Sequence, residues 1–359
     1  MTTKYPRLSK AAAGNLAPIP RYSIRGIADE TKDPGQGYIV ITVPRSLAAP
    51  HAVQVNNALR YPVRNNRDKR WLSEPEISEA YRQRFRAADE QVNLADRAMA
   101  EGYSQVVGTS PWAAWLLLAL VPELHGNMPI DRAAQHALQH ELARTKTGIL
   151  NDGSTLWNRV RIGQRRFQAS DVFNSTLPLS QYAKLHSNGT GFFAWPVTSE
   201  RDATNREGVA VDLPVWDLHL TNGVISGLHF LASHARDRAM AGGDALVMAR
   251  LALTKEGYLA REWNEMLDRN MGSRTISAMD PVDRVFPLDS IAQPGRELVS
   301  ASHLLLSDIV QEFGWAEPYK IIRDGEIALS YWSRHLQPGI RAWADEHDIP
   351  TFISDHTNR

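Results

Sequence analysis

The sequence predicts an α+β protein in two parts, a module over residues 1–102 and a mixed α/β domain over residues 103–359. Three observations carry this reading. Tyr38–Val43 (YIVITV) is β-branched and bounded by turn residues, the pattern of a strand. Ser73–Gly102 holds Ile77, Ala80, Tyr81, Ala88, Val92, Ala95 and Met99 at helical spacing. Pro111–Leu124 (PWAAWLLLALVPEL) is the most apolar run. It is shorter than the roughly 20 residues a membrane span needs, so it reads as a buried central strand, with a buried helix as the alternative.

The other elements follow in order. Residues 1–20 read as a short helix and then an extended entry, because Pro18 and Pro20 exclude helix from Leu16 onward. Arg21–Ala28 alternates in part and reads as a strand that pairs with Tyr38–Val43 across the turn composition Asp33-Pro34-Gly35. Ala58–Val63 is a third strand, moved to an edge by Pro62. Ser73 and Glu76 have the spacing of a capping box, and Gly102 stands where a helix would stop. Asp131 caps a helix to about Lys146. Leu156–Phe167, Gly191–Val197 and Val209–Leu220 read as strands, with Ser199–Gly208 a polar loop. Val224–Met240 and Arg296–Phe313 have helical periods, the latter ended by Gly314. Asp244–Leu253 fits a helix or a buried strand, and Arg284–Leu288 a short strand.

Composition removes several classes of chemistry. With no cysteine, a disulfide framework, a zinc ribbon and a thiol nucleophile are excluded. There is no Gly-x-x-x-x-Gly-Lys loop and no Gly-x-Ser-x-Gly elbow. Asn188-Gly189-Thr190-Gly191 precedes a strand, whereas a dinucleotide loop precedes a helix. His136 and His140 share a helix face, but Ala137 stands where a zincin has Glu, so a solvated face is the better reading. His229 and His234 read as packed or surface residues. The expectation is therefore no metal and no cofactor, and no catalytic residue is assigned. The N-terminal residues lack the apolar core of a signal peptide, so a cytoplasmic protein with no membrane partner is expected.

The charges balance at 40 Lys/Arg against 40 Asp/Glu, but unevenly along the chain. Residues 1–100 hold 16 basic and 10 acidic residues, a net of +6, and residues 301–359 hold 5 and 9, a net of −4. Residues 60–70 (RYPVRNNRDKR) gather Arg60, Arg64, Arg67, Lys69 and Arg70 against the single acid Asp68, with Tyr61 and Trp71 beside them. Cations neutralise phosphates and aromatics stack on bases, so these five residues are the candidate nucleic-acid contacts. The competing reading is a solvated hairpin, with Arg82, Arg84 and Arg86 paired to Glu76, Glu79 and Asp89. A second cluster, Arg159, Arg161, Arg165 and Arg166, reads as a basic strand face. Its expected partner is the acidic C-terminal region, slightly ahead of nucleic acid.

Val43-Pro44, Pro50-His51, Tyr61 to Arg64, and Ser73 to Glu76 fall in the order found in one family. Over residues 20–86 the chain resembles the distal part of the Schlafen-like, AlbA-type DNA-binding domain. That resemblance implies a partial AlbA-like module that associates with DNA or RNA, in a regulatory or defensive role. Asn65-Asn66 replaces the Gly usual in the family, a turn that Asn tolerates. The family's proximal helices, which carry the catalytic carboxylates of its nucleases, have no counterpart in residues 1–20, so the chain reads as beginning late relative to the family. Two other readings stay open: a nuclease separated from its catalytic part, and a protein–protein scaffold or homo-oligomer in which the basic third meets the acidic end.

Overall fold

The structure, a computed structural model, describes residues 10, 14–20, 22–28, 37–43, 46, 48–65, 68–107, 112–144, 157, 159–170, 181–199, 212–263, 266–268 and 274–353. It mixes helices and strands throughout, an α+β protein. The chain divides into two units, Met1–Val92 and Asn93–Arg359. The division falls inside the first long helix, α1 (Glu74–Val106), and not after Gly102. The reason lies in packing: Ala95, Ala98 and Met99 are buried in the core of the second unit.

The first unit is built from short antiparallel pairings. Strands β1 (Leu16–Ala17), β4 (Ala52–Val55) and β5 (Ala58–Arg60) form one sheet in the order β1-β4-β5. Strand β2 (Ser23–Ala28) pairs with β3 (Gly37–Thr42), and β6 (Pro62–Asn65) with β7 (Asp68–Trp71). The expected strand Ala58–Val63 is therefore two strands that break at Tyr61. The turn joining β4 to β5 is Asn56-Asn57, both at positive φ (50° and 59°). That left-handed pair is what a two-residue hairpin requires, and Asn supplies it at little cost. Asn66, of the pair expected to carry such a turn, lies outside the described residues.

The core of the second unit is a seven-stranded antiparallel sheet. Its strands are β8 (Trp112–Leu124), β9 (Arg159–Gly163), β10 (Arg166–Ser170), β11 (Tyr182–His186), β12 (Gly191–Ser199), β14 (Gly242–Leu253) and β17 (Val282–Pro287). They lie in the order β17-β14-β8-β12-β11-β10-β9. As expected, β8 is an interior strand, and Ala113 through Val121 are all buried. Its two faces meet different partners, as the period of two requires. Leu116, Leu118 and Leu120 pack with α3 (Asp217–Ser233), while Trp115, Leu117, Ala119 and Val121 join Ala95 and Met99 of α1. Edge strand β9 is covered by α2 (Arg132–Leu142): Gln135 donates to the Val160 carbonyl at 2.8 Å, and the Val160 N–H donates to Gln139 at 2.6 Å. Satisfying an edge in this way blocks further strand addition.

The smaller elements complete the unit. Strands β13 (Leu213–Trp216), β15 (Gly257–Trp263) and β16 (Met266–Asp268) form a second sheet, and β18 (Ile327–Ala328) pairs with β19 (Thr351–Phe352). The single turn α4 (Leu288–Ile291) precedes α5 (Arg296–Gln311), which packs on α3, and α6 (Gln337–Glu346) lies near the C-terminal end.

Several expectations are corrected here. Of the expected strand Val209–Leu220, residues 209–211 lie outside the described residues, Leu213–Trp216 is strand, and Asp217 then opens α3. The helix expected over Val224–Met240 is α3, which starts earlier, at Asp217, and is buried on nearly every side between the sheet and α5. Leu156–Phe167 contains a hairpin rather than one strand, turning at Arg165 with φ 55°. Of the two apolar residues that alternate with Arg159 and Arg161, Val160 is buried and Ile162 is exposed. Asp244–Leu253 resolves as a strand within β14.

Gly102 does not stop its helix. A Cβ there would lie 2.2 Å from the Phe192 ring, so Gly lets α1 come down onto β12. Gly126 is tighter still, since a Cβ would lie 1.7 Å from the Ala239 carbonyl oxygen, and backbone cannot swing aside. Gly126→Ala is expected to cost about 1–3 kcal/mol or more, measured by urea unfolding. Gly339→Ala, where nothing lies within 4 Å, is the control, and should leave stability unchanged or raise it. Equal effects from the two would refute the packing account.

Candidate nucleic-acid interface

The β6–β7 hairpin brings the first basic cluster together. Its register pairs Pro62 with Trp71, Val63 with Arg70 and Arg64 with Lys69. Side chains alternate, so Arg64, Lys69 and Trp71 share one face while Arg70 projects from the other. The Lys69 ammonium lies 4.6 Å from the Trp71 ring centroid, and the Arg60 guanidinium, reaching from β5, lies 5.5 Å from it. Like charges directly opposite each other, as at Arg64 and Lys69, cost stability, so this face is not the arrangement folding alone would select. Among the described residues no carboxylate forms an ion pair with Arg60 or Lys69. Arg67 lies outside the described residues.

Arg70 is differently engaged. Its guanidinium donates to both oxygens of Glu76, at 2.8 and 2.7 Å. Glu76 also accepts from the Ser73 N–H and hydroxyl, each at 2.9 Å, the glutamate half of a capping box at the start of α1. The Arg70 bonds, followed by those from Ser73, hold the Glu76 carboxyl down to about 2. A phosphate at Arg70 would have to compete with this carboxylate. Arg82 pairs with Glu79 at 3.4 Å, as the solvated-face reading expects.

The second cluster lies on the sheet edge of the second unit. Arg159 and Arg161 are exposed and share a strand face, across from Gln168 and Ser170 of β10. Among the described residues, the acid that forms an ion pair with this cluster is Glu101 of α1, and none comes from the C-terminal region. Glu101 pairs with Arg166 at 2.8 Å and lies 3.5 Å from the buried Lys184 ammonium, which donates to the Glu101 carbonyl at 2.9 Å. The C-terminal acids have other partners: Asp308 with Arg284, Glu326 with Arg296, and Glu317 with His303. His136 and His140 stand on α2, and among the described residues no three metal-ligating side chains gather. No helix among them is long and apolar enough to cross a membrane.

The first unit also contains a cleft of about 550 Å³ that the sequence did not announce. Its apolar walls include Val43, Pro50, Val53, Val63, Leu72 and Ala80. Its polar groups include His51, Tyr61, Gln83 and Arg84, and none of the described residues that line it is a carboxylate. The Tyr61 hydroxyl lies 3.1 Å from that of Tyr81, whose ring stacks on exposed Phe85. Tyr61 was legible as part of the basic stretch. His51 and Arg84 were not legible as one site, because 33 positions of sequence separate them.

Comparison with family models, with curated proteins and with solved structures yields no match.

Proposed function

We propose that this chain binds nucleic acid through the β6–β7 hairpin, as a DNA- or RNA-associated protein of AlbA-like kind. The observation that carries the reading is the shared face of Arg64, Lys69 and Trp71, with Arg60 stacked against the same ring. Two cations against one indole, with Arg64 on the same strand face, combine phosphate neutralisation with a stacking surface, the pairing that tracks a nucleic-acid backbone without reading its sequence. Arg70 supports this face indirectly, by capping the helix that follows. The second unit carries a basic strand face of its own at Arg159 and Arg161, which suits the same class of polyanion.

The test is fluorescence-monitored binding of labelled oligonucleotides across a salt series. The triple variant Arg60→Ala, Arg64→Ala, Lys69→Ala should weaken binding alike for unrelated sequences. It should reduce the slope of log K against log salt by roughly 2–3, at about 0.7–0.9 for each phosphate no longer neutralised. Its melting temperature should move little, since exposed cation–π interactions are worth only about 0.5–1 kcal/mol each. A parent protein with no salt-dependent binding would refute the reading.

A further inference from the structure

The cleft of the first unit adjoins the hairpin: Tyr61, Pro62 and Val63 line it, and Arg60 and Arg64 flank those residues in sequence. Its polar groups have a definite sense. The His51 Nδ1 lies 2.7 Å from the Pro18 carbonyl oxygen, which can only accept, so Nδ1 carries the proton. In the neutral ring Nε2 is then a bare acceptor, and it is buried with no hydrogen-bond partner. A buried acceptor left unpaired is costly unless a ligand donor completes it. Arg84, half-buried in the same cleft, forms no ion pair with any carboxylate among the described residues, and it offers a fork of donors. The cleft therefore combines apolar walls with a histidine whose buried acceptor lacks a partner and with a donor fork, and none of the described residues that line it is a carboxylate.

That combination fits a flat heteroaromatic ring that carries both N–H and C=O groups on its edge and is tethered to an anionic chain. We infer that the cleft receives one unstacked nucleobase, so that the hairpin's ligand is a single strand rather than a duplex. The inference rests on the nucleic-acid reading above. Within a duplex the base edges are paired and the faces stacked, so neither could enter an apolar slot. A single strand can turn one base into the cleft while its phosphates cross Arg60, Arg64 and Lys69, and exposed Phe85 offers a face to a neighbouring base.

The experiment uses the full chain with a single-stranded oligonucleotide of about 12 bases and the matching duplex at one salt concentration. The parent should bind the single strand about ten-fold tighter or better. His51→Phe with Arg84→Met should abolish that preference and leave duplex binding unchanged, whereas the hairpin triple variant should weaken both. Ala80→Leu, which fills the slot from the helix side, should act like the first pair. In the parent, the His51 ring nitrogen signals should shift on addition of the oligonucleotide. Equal affinity for single strand and duplex, or cleft variants that bind the single strand as the parent does, would overturn the inference and leave the hairpin reading standing. So would His51 signals that respond to a proline-rich peptide and not to the oligonucleotide, which would make the cleft a peptide site. A parent that binds neither nucleic acid would overturn both readings.

Discussion

Acidification from about pH 6.5 to about pH 4.5 is expected to strip several kcal/mol of stability from the protein, before its carboxylates titrate. Burial holds His186 and His229 down to about 4 and His234 to about 3, with nearby cations adding to it: Arg166 for His186, Arg236 for His229 and Arg238 for His234. The geometry explains why His186 and His234 do not accept a proton in place. The His234 Nε2–H donates to the His186 carbonyl at 3.0 Å, while its Nδ1 and the His186 Nε2 are buried without partners. A histidine whose pKa falls on folding binds its proton better in the unfolded chain. The stabilisation is complete above the unfolded value near 6.5 and is lost as pH drops toward the folded value. Over that window each of the three contributes roughly 2–3 kcal/mol, a large share of the ~5–15 kcal/mol that keeps a protein folded. Urea unfolding at half-unit pH steps measures the slope. His229→Gln should reduce it by about one proton. Stability that stays level from about pH 7 to about pH 4.5 would refute the account.

Lys320→Met is expected to lower stability by about 3–5 kcal/mol, a fall in melting temperature of roughly 10 °C. Lys320 is 1% exposed. Its ammonium donates to Asp217 at 2.9 Å and to the Tyr331 carbonyl at 2.8 Å, and it lies 5.6 Å from the Trp332 ring centroid. Beside it, the Arg261 guanidinium sits 4.3 Å from the Tyr319 ring and 4.8 Å from the Tyr331 ring. Removing the ammonium takes one positive partner from the buried Asp217 carboxylate, which costs more than the net worth of the pair. Asp217→Leu with Lys320→Met removes both charges, so it should recover much of the loss. Calorimetry of the two variants decides the matter: a double variant as unstable as the single one would show that packing, not charge, sets the cost.

The parts of the fold that were legible are those where one force dominates locally. Residues 112–124 declared themselves because an interior strand needs apolar side chains on both faces, and Pro122 left the run unbroken. Helix α1 showed a period because one side of it faces solvent, and its N-terminus showed Ser73 and Glu76 at capping distance. Helix α3 was legible from Val224 onward, but its first turns, from Asp217, read as the end of a strand, since burial on nearly every side blurs the period there. Gly102 misled because a glycine that admits Phe192 looks the same in sequence as one that ends a helix. At the site, Arg60, Arg64 and Lys69 were legible as a charge run, but the Arg70–Glu76 cap that separates Arg70 from them needed three dimensions. The cleft was not legible at all, because its walls come from segments around residues 16, 50, 62 and 84 that meet only on folding.

The β2–β3 hairpin has a colloidal consequence. All of β3 is exposed, with Tyr38 at 59% and Ile41 at 51%, and among the described residues its sheet has two strands, so each strand has an edge that no described strand covers. The formal net charge at pH 7 is zero, so copies of the chain have no long-range repulsion to keep these ribbons apart. The attraction between copies will therefore rise with concentration and peak near neutrality, where an ordinary buffer places it. Handling a pH unit or more away from neutrality on the alkaline side, or placing lysine at Ile39 and Ile41, restores the missing repulsion at the strand that needs it.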